Sequence, residues 1–136
     1  MDPLLNSRLT DETIKKAADS AADLGVELLV IDDGWFGKRN TDHTSLGDWY
    51  VNEDKIKCGL DELCKYVNQK GLMLGIWFEP EMISPDSDLY RAHPEWAMQI
   101  IGRKPTETRW QLMLDLTNPN VQDFVYDSIA NVLKTT

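Results

Sequence analysis

The chain has 136 residues, enough for one compact domain and too few for two. Apolar residues make up 42% of it and five are tryptophans, a composition that supports a packed core. Asp and Glu outnumber Lys and Arg 23 to 14, and the formal charge of -9 excludes a nucleic-acid backbone or an anionic membrane surface as a natural partner.

The opening MDPLLNSR has neither the basic start nor the apolar centre of a signal peptide. Nowhere does the chain reach the roughly 20 apolar residues of a membrane-spanning helix, so the expectation is a soluble cytoplasmic protein. Thr10, followed by Asp11 and Glu12, reads as a helix cap with acids in the first turn. Ile14, Ala17, Ala18, Ala21 and Leu24 then keep helical spacing up to Gly25, which predicts a helix over 11–24. The apolar run 26–31, broken only by Glu27, suits a strand buried on both faces of a parallel sheet, and it ends in Asp32, Asp33 and Gly34.

The unit then repeats. Leu60, Leu63, Cys64 and Val67 mark a second helix closed by Gly71, and 72–78 form a second apolar strand running into Glu79, Pro80 and Glu81. Asn118 with Pro119 announces a third helix, with Val121, Phe124, Val125, Ile129 and Val132 on one face. Two long connections, 34–59 and 79–118, are of the length that carries function or small elements of its own. In the second, a helical turn is expected from Ser84 through Arg91, and 96–101 is expected to pair with 111–114 as a small hairpin around Gly102 and Pro105. Alternating helices and strands give an α/β protein; no Gly-x-Gly-x-x-Gly follows either strand, which disfavours a dinucleotide site.

Several residues at the strand ends have chemistry to offer. Asp32 and Asp33 are adjacent carboxylates where a buried strand emerges, and either accept hydrogen bonds from sugar hydroxyls or hold the loop through its backbone or through Lys38 and Arg39. Trp77 is either a flat platform for a pyranose ring or a core tryptophan. Glu79 and Glu81 resemble the paired carboxylates of glycoside hydrolysis, yet Pro80 lies between them, and two carboxyls so close in one strand favour anchoring roles. The fork of donors on Arg109 either clamps hydroxyls or a carboxylate, or is solvated surface. His43 and His93 have no partner at metal spacing, and the two cysteines, Cys58 and Cys64, complete no zinc cluster; Cys64 is expected to be a buried structural thiol. No metal or cofactor is called for.

Taken together, the strings LLVIDDGWFGKRN, SLGDWYVN, GIWFEPEMISPDSDLYRAHPEW and TETRWQLMLDLTNP resemble the bacterial α-galactosidases of glycoside hydrolase family 36, from about Thr10 to Leu133. The resemblance implies a (β/α)8 TIM-barrel segment (residues 10–136, after a leader over 1–9 unlike family sequence) and retaining hydrolysis of terminal α-linked galactose. It also implies a galactose-terminated oligosaccharide of raffinose or melibiose type as substrate. Asp32, Asp33, Trp77 and Arg109 match the family's galactose-binding positions.

The departures count equally. The family's nucleophile lies in a Lys-Trp-Asp motif that this sequence does not contain, and its acid/base aspartate comes from a later strand, so neither is expected within these residues. Retaining hydrolysis needs both, about 5 to 5.5 Å apart. The expectation is an inactive barrel segment whose open strand edges lead it to associate with further copies. A weak carbohydrate-binding module and a purely structural, self-associating module are the alternatives.

Overall fold

A computed structural model describes residues 8–135. Most of the expected leader, residues 1–7, lies outside the described residues. The element order is α1 (Asp11–Asp23), β1 (Leu28–Ile31), α2 (Leu60–Gln69), β2 (Met73–Ile76), β3 (Met82–Ile83), α3 (Asp88–Ala92), β4 (Leu112–Met113) and α4 (Pro119–Lys134), with a 3-10 turn at Pro94–Trp96.

The start of α1 follows from two threonines. Thr13 N–H donates to Thr10 Oγ1 at 3.2 Å and Thr10 N–H donates to Thr13 Oγ1 at 2.9 Å, a reciprocal cap that satisfies two otherwise orphaned donors. Ile14, Ala18 and Ala21 form its buried stripe. The buried stripe of α2 is Leu60, Leu63 and Val67, and a Lys70–Gly71 stop follows, Gly71 taking the positive φ of 85° that side chains resist. Asn118 caps α4 by accepting from Asn120 N–H at 3.0 Å, with Pro119 in the first turn where its missing N–H costs nothing.

β1 and β2 pair in parallel, Leu28 opposite Met73 through Ile31 opposite Ile76, with α2 as the crossover. Leu29 and Leu74 pack beneath α1 and α2 with Ala18, Ala21, Val67 and Leu72. Burial on both faces, expected for 26–31, does not occur: the strand is shorter, and Leu28 and Val30 are 49% and 51% exposed, as is Met73 at 62%. Two strands have only one face covered by these helices, and among the described residues nothing lies over the other.

Three further expectations are corrected. The hairpin between 96–101 and 111–114 begins, with Met98 N–H donating to Met113 O at 2.7 Å and Asp115 N–H to Trp96 O at 2.8 Å, and then opens. Ile100 and Ile101 turn to solvent while the other edge of β4 pairs antiparallel with β3, Met82 opposite Met113. The helical turn expected from Ser84 begins instead at Ser87, whose Oγ accepts from Tyr90 N–H at 3.0 Å; Ser84 Oγ is engaged by Leu46 N–H, also at 3.0 Å. Cys64 is half-buried, lying on the flank of the α2 stripe with its Sγ accepting from Asn68 Nδ2.

The core has an aromatic centre. Trp35, Phe36 and Trp49 are buried with Ile31, Leu46, Ile56 and Leu63, and Trp77 and Phe78 pack against them. A second cluster joins Ile83, Leu89, Ala97, Leu112, Leu114 and Val121 beneath α3 and α4.

Candidate functional site

Parallel pairing brings both strand ends to one place, where an α/β sheet characteristically presents its site. Trp77 N–H donates to Ile31 O at 2.9 Å, one step past the ladder, so the segments that follow Ile31 and Ile76 start side by side. Trp35 Nε1 then donates to Trp77 O at 2.9 Å and ties the first loop to the second strand's end.

The 34–59 connection is a built structure around two buried cations. Arg39, 1% exposed, forks onto Asp33: Nε donates to Oδ1 at 2.9 Å and Nη2 to Oδ2 at 2.8 Å, while Nη1 donates to Thr44 O at 2.8 Å. Lys55 Nζ donates to Gly34 O at 2.8 Å and to Arg39 O at 2.6 Å, closing the loop across its base. Burial pushes the Lys55 ammonium below its ordinary range, against the pull of Asp33. Asn52 completes the frame by donating to Gly37 O at 2.7 Å and accepting from Lys55 N–H at 3.1 Å.

The two long connections are also joined to each other. Ser84 N–H donates to Leu46 O at 3.0 Å and Ser45 N–H to Asp86 O at 2.8 Å. Buried Asp48 accepts from Leu89 N–H and Asp88 N–H, both at 3.0 Å, at the start of α3; its burial raises the carboxyl pKa although both donors oppose the rise. Gly47, at φ 100°, passes so close that a Cβ there would meet Leu89 Cδ2 at 2.8 Å, so only glycine fits.

Each expected site residue can now be placed. Asp33 is held by Arg39, and its side chain remains 14% exposed. A carboxylate has about four acceptor positions, and the fork leaves some of them available. Asp32 is exposed, accepts from Asp33 N–H at 2.8 Å, and borders an apolar groove of about 350 Å³ along β1. Trp77 is half-buried, stacked 6.3 Å from Phe36 and edge-on to Trp49 at 6.3 Å, so it is core on one side. Arg109 is 59% exposed and reaches across to Asp42, with Nη2 to Oδ2 at 3.9 Å.

Glu79 links these groups. Its carboxyl is raised by burial first and then by Glu81, while Arg109 and Arg39 pull it down and Asp33 adds a further rise. Gln111 Nε2 donates to Glu79 Oε2 at 3.4 Å. Such an arrangement of carboxylates, a guanidinium fork and an indole suits a neutral ring bearing several hydroxyls. Among the described residues no cluster of three or more His, Cys, Asp or Glu could hold a metal ion. Sequence reasoning did not find Lys55, Asp48 or Gln111, because nothing in linear spacing marks a loop lysine, aspartate or glutamine as buried.

The Melibiase family model matches residues 7–136. The chain is 55% identical over 124 residues to the bifunctional α-galactosidase/sucrose kinase AgaSK of Mediterraneibacter gnavus, covering 91% of this chain and 13% of the relative. It is 51% identical over 123 residues to α-galactosidase AgaA of Geobacillus stearothermophilus, covering 90% of this chain and 17% of the relative. The crystal structure of a doubly substituted AgaA from that organism in complex with raffinose superposes with a TM-score of 0.88 at 50% identity, over 92% of this chain and 17% of that one. The chain thus spans less than a fifth of the length of these relatives.

Proposed function

The chain belongs to the melibiase family, and from that premise we propose that it is a segment of a (β/α)8 α-galactosidase barrel supplying part of the galactose site. The observation that carries this reading is the parallel register of β1 and β2, which delivers Asp32, Asp33 and Trp77 to one end of the sheet. Asp32 and Asp33 accept from galactose hydroxyls, Trp77 lines the pocket, and Arg109 donates from its fork. The substrate is a galactose-terminated oligosaccharide of raffinose or melibiose type, and the place of action is the cytoplasm. The unit runs over 10–136, preceded by a leader. Asp33 is oriented by the fork of Arg39, and Gln111 donates to Glu79 at 3.4 Å.

Nucleophile and acid/base are to be supplied by other residues, and these 136 alone do not turn substrate over. Titration of the chain with galactose, followed by the indole N–H resonance of Trp77, is expected to give a shift with millimolar affinity. That shift is lost in Asp33→Ala. The same sample is expected to release no nitrophenol from p-nitrophenyl α-galactoside above a Trp77→Ala control. An unmoved Trp77 resonance at about 100 mM galactose, some twentyfold above such an affinity, ends the sugar-site reading.

A second reading rests on the uncovered sheet. Among the described residues β1 and β2 each have one neighbour, and grooves of about 350 Å³ and 260 Å³ run beside β1 and beside β2, the latter lined by Leu60, Leu74, Phe78, Ile129 and Leu133. Unpaired apolar edges of this kind associate, and the occupant favoured here is a second copy of the chain. Light scattering at micromolar concentration is expected to give a mass above the 15.6 kDa of one chain; a monomer removes this reading.

A further inference from the structure

A two-residue turn joins Thr108 to Gln111. The pair is closed by Thr108 N–H donating to Gln111 O and Gln111 N–H donating to Thr108 O, both at 3.0 Å, and its central residues are Arg109 and Trp110, at φ 53° and 59°. Positive φ at both central positions is the tightest type of hairpin turn, which ordinarily demands Asn-Gly or a similar pair. Outside glycine such a conformation crowds Cβ against the following carbonyl, and strain of that kind persists where a site over-determines it.

The tertiary contacts that hold it are at the turn itself. The Trp110 ring stacks on His43, centroids 3.6 Å apart and planes 23° from parallel, while Arg109 faces Asp42 next to it. Of the neighbours of Trp110 in the chain, Gln111 donates to Glu79 Oε2 at 3.4 Å, at the foot of the second strand's end, and Arg109 reaches Asp42 in the first connection. Trp110 therefore stands beside the groups at the strand ends. It is still 50% exposed after His43 has covered one face. An indole backed by an imidazole and open on its other side is a rigid apolar surface placed just outside a polar pocket.

We propose that the Trp110–His43 stack is the platform for the second sugar of the oligosaccharide, the ring linked to the terminal galactose. This inference rests on the galactose reading of Asp33, Trp77 and Arg109. The chemistry is the same as for any pyranose against an aromatic face: the C–H-rich side of the ring lies on the indole, whose negative face attracts it. The strained turn sets two adjacent side chains for two adjacent sugars, Arg109 beside Asp42 and Trp110 on His43.

The test follows the indole resonances of Trp77 and Trp110 and the ring protons of His43 in the full chain during separate titrations with galactose and raffinose. Galactose is expected to move Trp77 alone; raffinose is expected to move all three and to bind about three- to tenfold more tightly, which is about 0.7–1.4 kcal/mol, the size of one aromatic contact. Trp110→Asn keeps a residue that tolerates positive φ and is expected to bring raffinose down to the affinity of galactose without changing galactose binding. His43→Ala, at an exposed loop position, is expected to weaken raffinose in the same direction. Trp77 moving with raffinose while Trp110 stays still overturns the platform and leaves the galactose reading intact. An equal Trp110 shift with galactose also overturns it. If neither sugar moves Trp77, both readings fall together.

Discussion

Arg39→Ala is expected to destabilise the protein by about 3–5 kcal/mol, because it leaves the Asp33 carboxylate half-buried without its counter-charge. Arg39 is among the largest fully buried side chains, with two arms on Asp33, one on Thr44 O, and its guanidinium 6.0 Å from the centroid of the Phe36 ring. Its removal also opens a cavity inside 34–59, where Lys55 is anchored on the Arg39 carbonyl. Against a total stability of about 5–15 kcal/mol for a domain, one such change leaves a large unfolded fraction. Arg39→Lys keeps the charge but not the planar fork, and should recover only part of the loss. Urea unfolding of the three proteins checks this, and a midpoint for Arg39→Ala equal to that of the parent contradicts the central place given to the pair.

Trp35→Ala is expected to cost a similar amount, about 3–5 kcal/mol, for an apolar reason. Trp35 is fully buried and meets Phe36 and Phe78 edge-on at 5.3 Å each and stacks on Trp49 at 6.3 Å. Its indole N–H is also the bond that holds Trp77 O, so alanine leaves a buried carbonyl unpaired as well as a void. Trp35→Phe separates the two causes, since it keeps most of the ring volume and loses the donor; about 1–3 kcal/mol is expected for that part. Thermal unfolding gives the stability and near-ultraviolet circular dichroism reports the aromatic cluster. The galactose-dependent shift of Trp77 is expected to weaken in both variants, because the strand-end carbonyl loses its tie.

Local signals in the sequence were enough for the regular elements. The Thr10 and Asn118 caps, the Gly25 and Gly71 stops and the apolar spacing between them predict α1, α2 and α4 to within a residue or two. Both strands of the parallel pair were also legible, as was their arrival at carboxylates and tryptophan. What failed involved choosing among partners. β4 was expected against 96–101; it pairs there only as far as Met98 and takes β3 on its other edge, since a short strand has two edges and its sequence does not say how far each is filled. Burial of Leu28 and Val30 was inferred from an apolar run, but exposure depends on what lies over the sheet, which no local pattern reports.

The candidate site divides along the same line. The sequence by itself determined which side chains stand at the strand ends, because strand length and polarity place Asp32, Asp33 and Trp77 there whatever the surroundings. Only the tertiary structure decided how they are held. Arg39 and Lys55 lie in a loop whose composition reads as solvated, and they become buried cations because the fold closes 34–59 over the end of β1. Arg109 and Trp110 look like two residues of a polar connection until the Thr108–Gln111 pairing forces both to positive φ and sets them on Asp42 and His43. Helix caps and apolar periodicity act over a few residues, so they can be read along the chain. Charge pairing, ring stacking and burial depend on how whole connections fold, from the Arg39–Asp33 pair six residues apart to the stack of Trp110 on His43, and the packed fold alone fixes them.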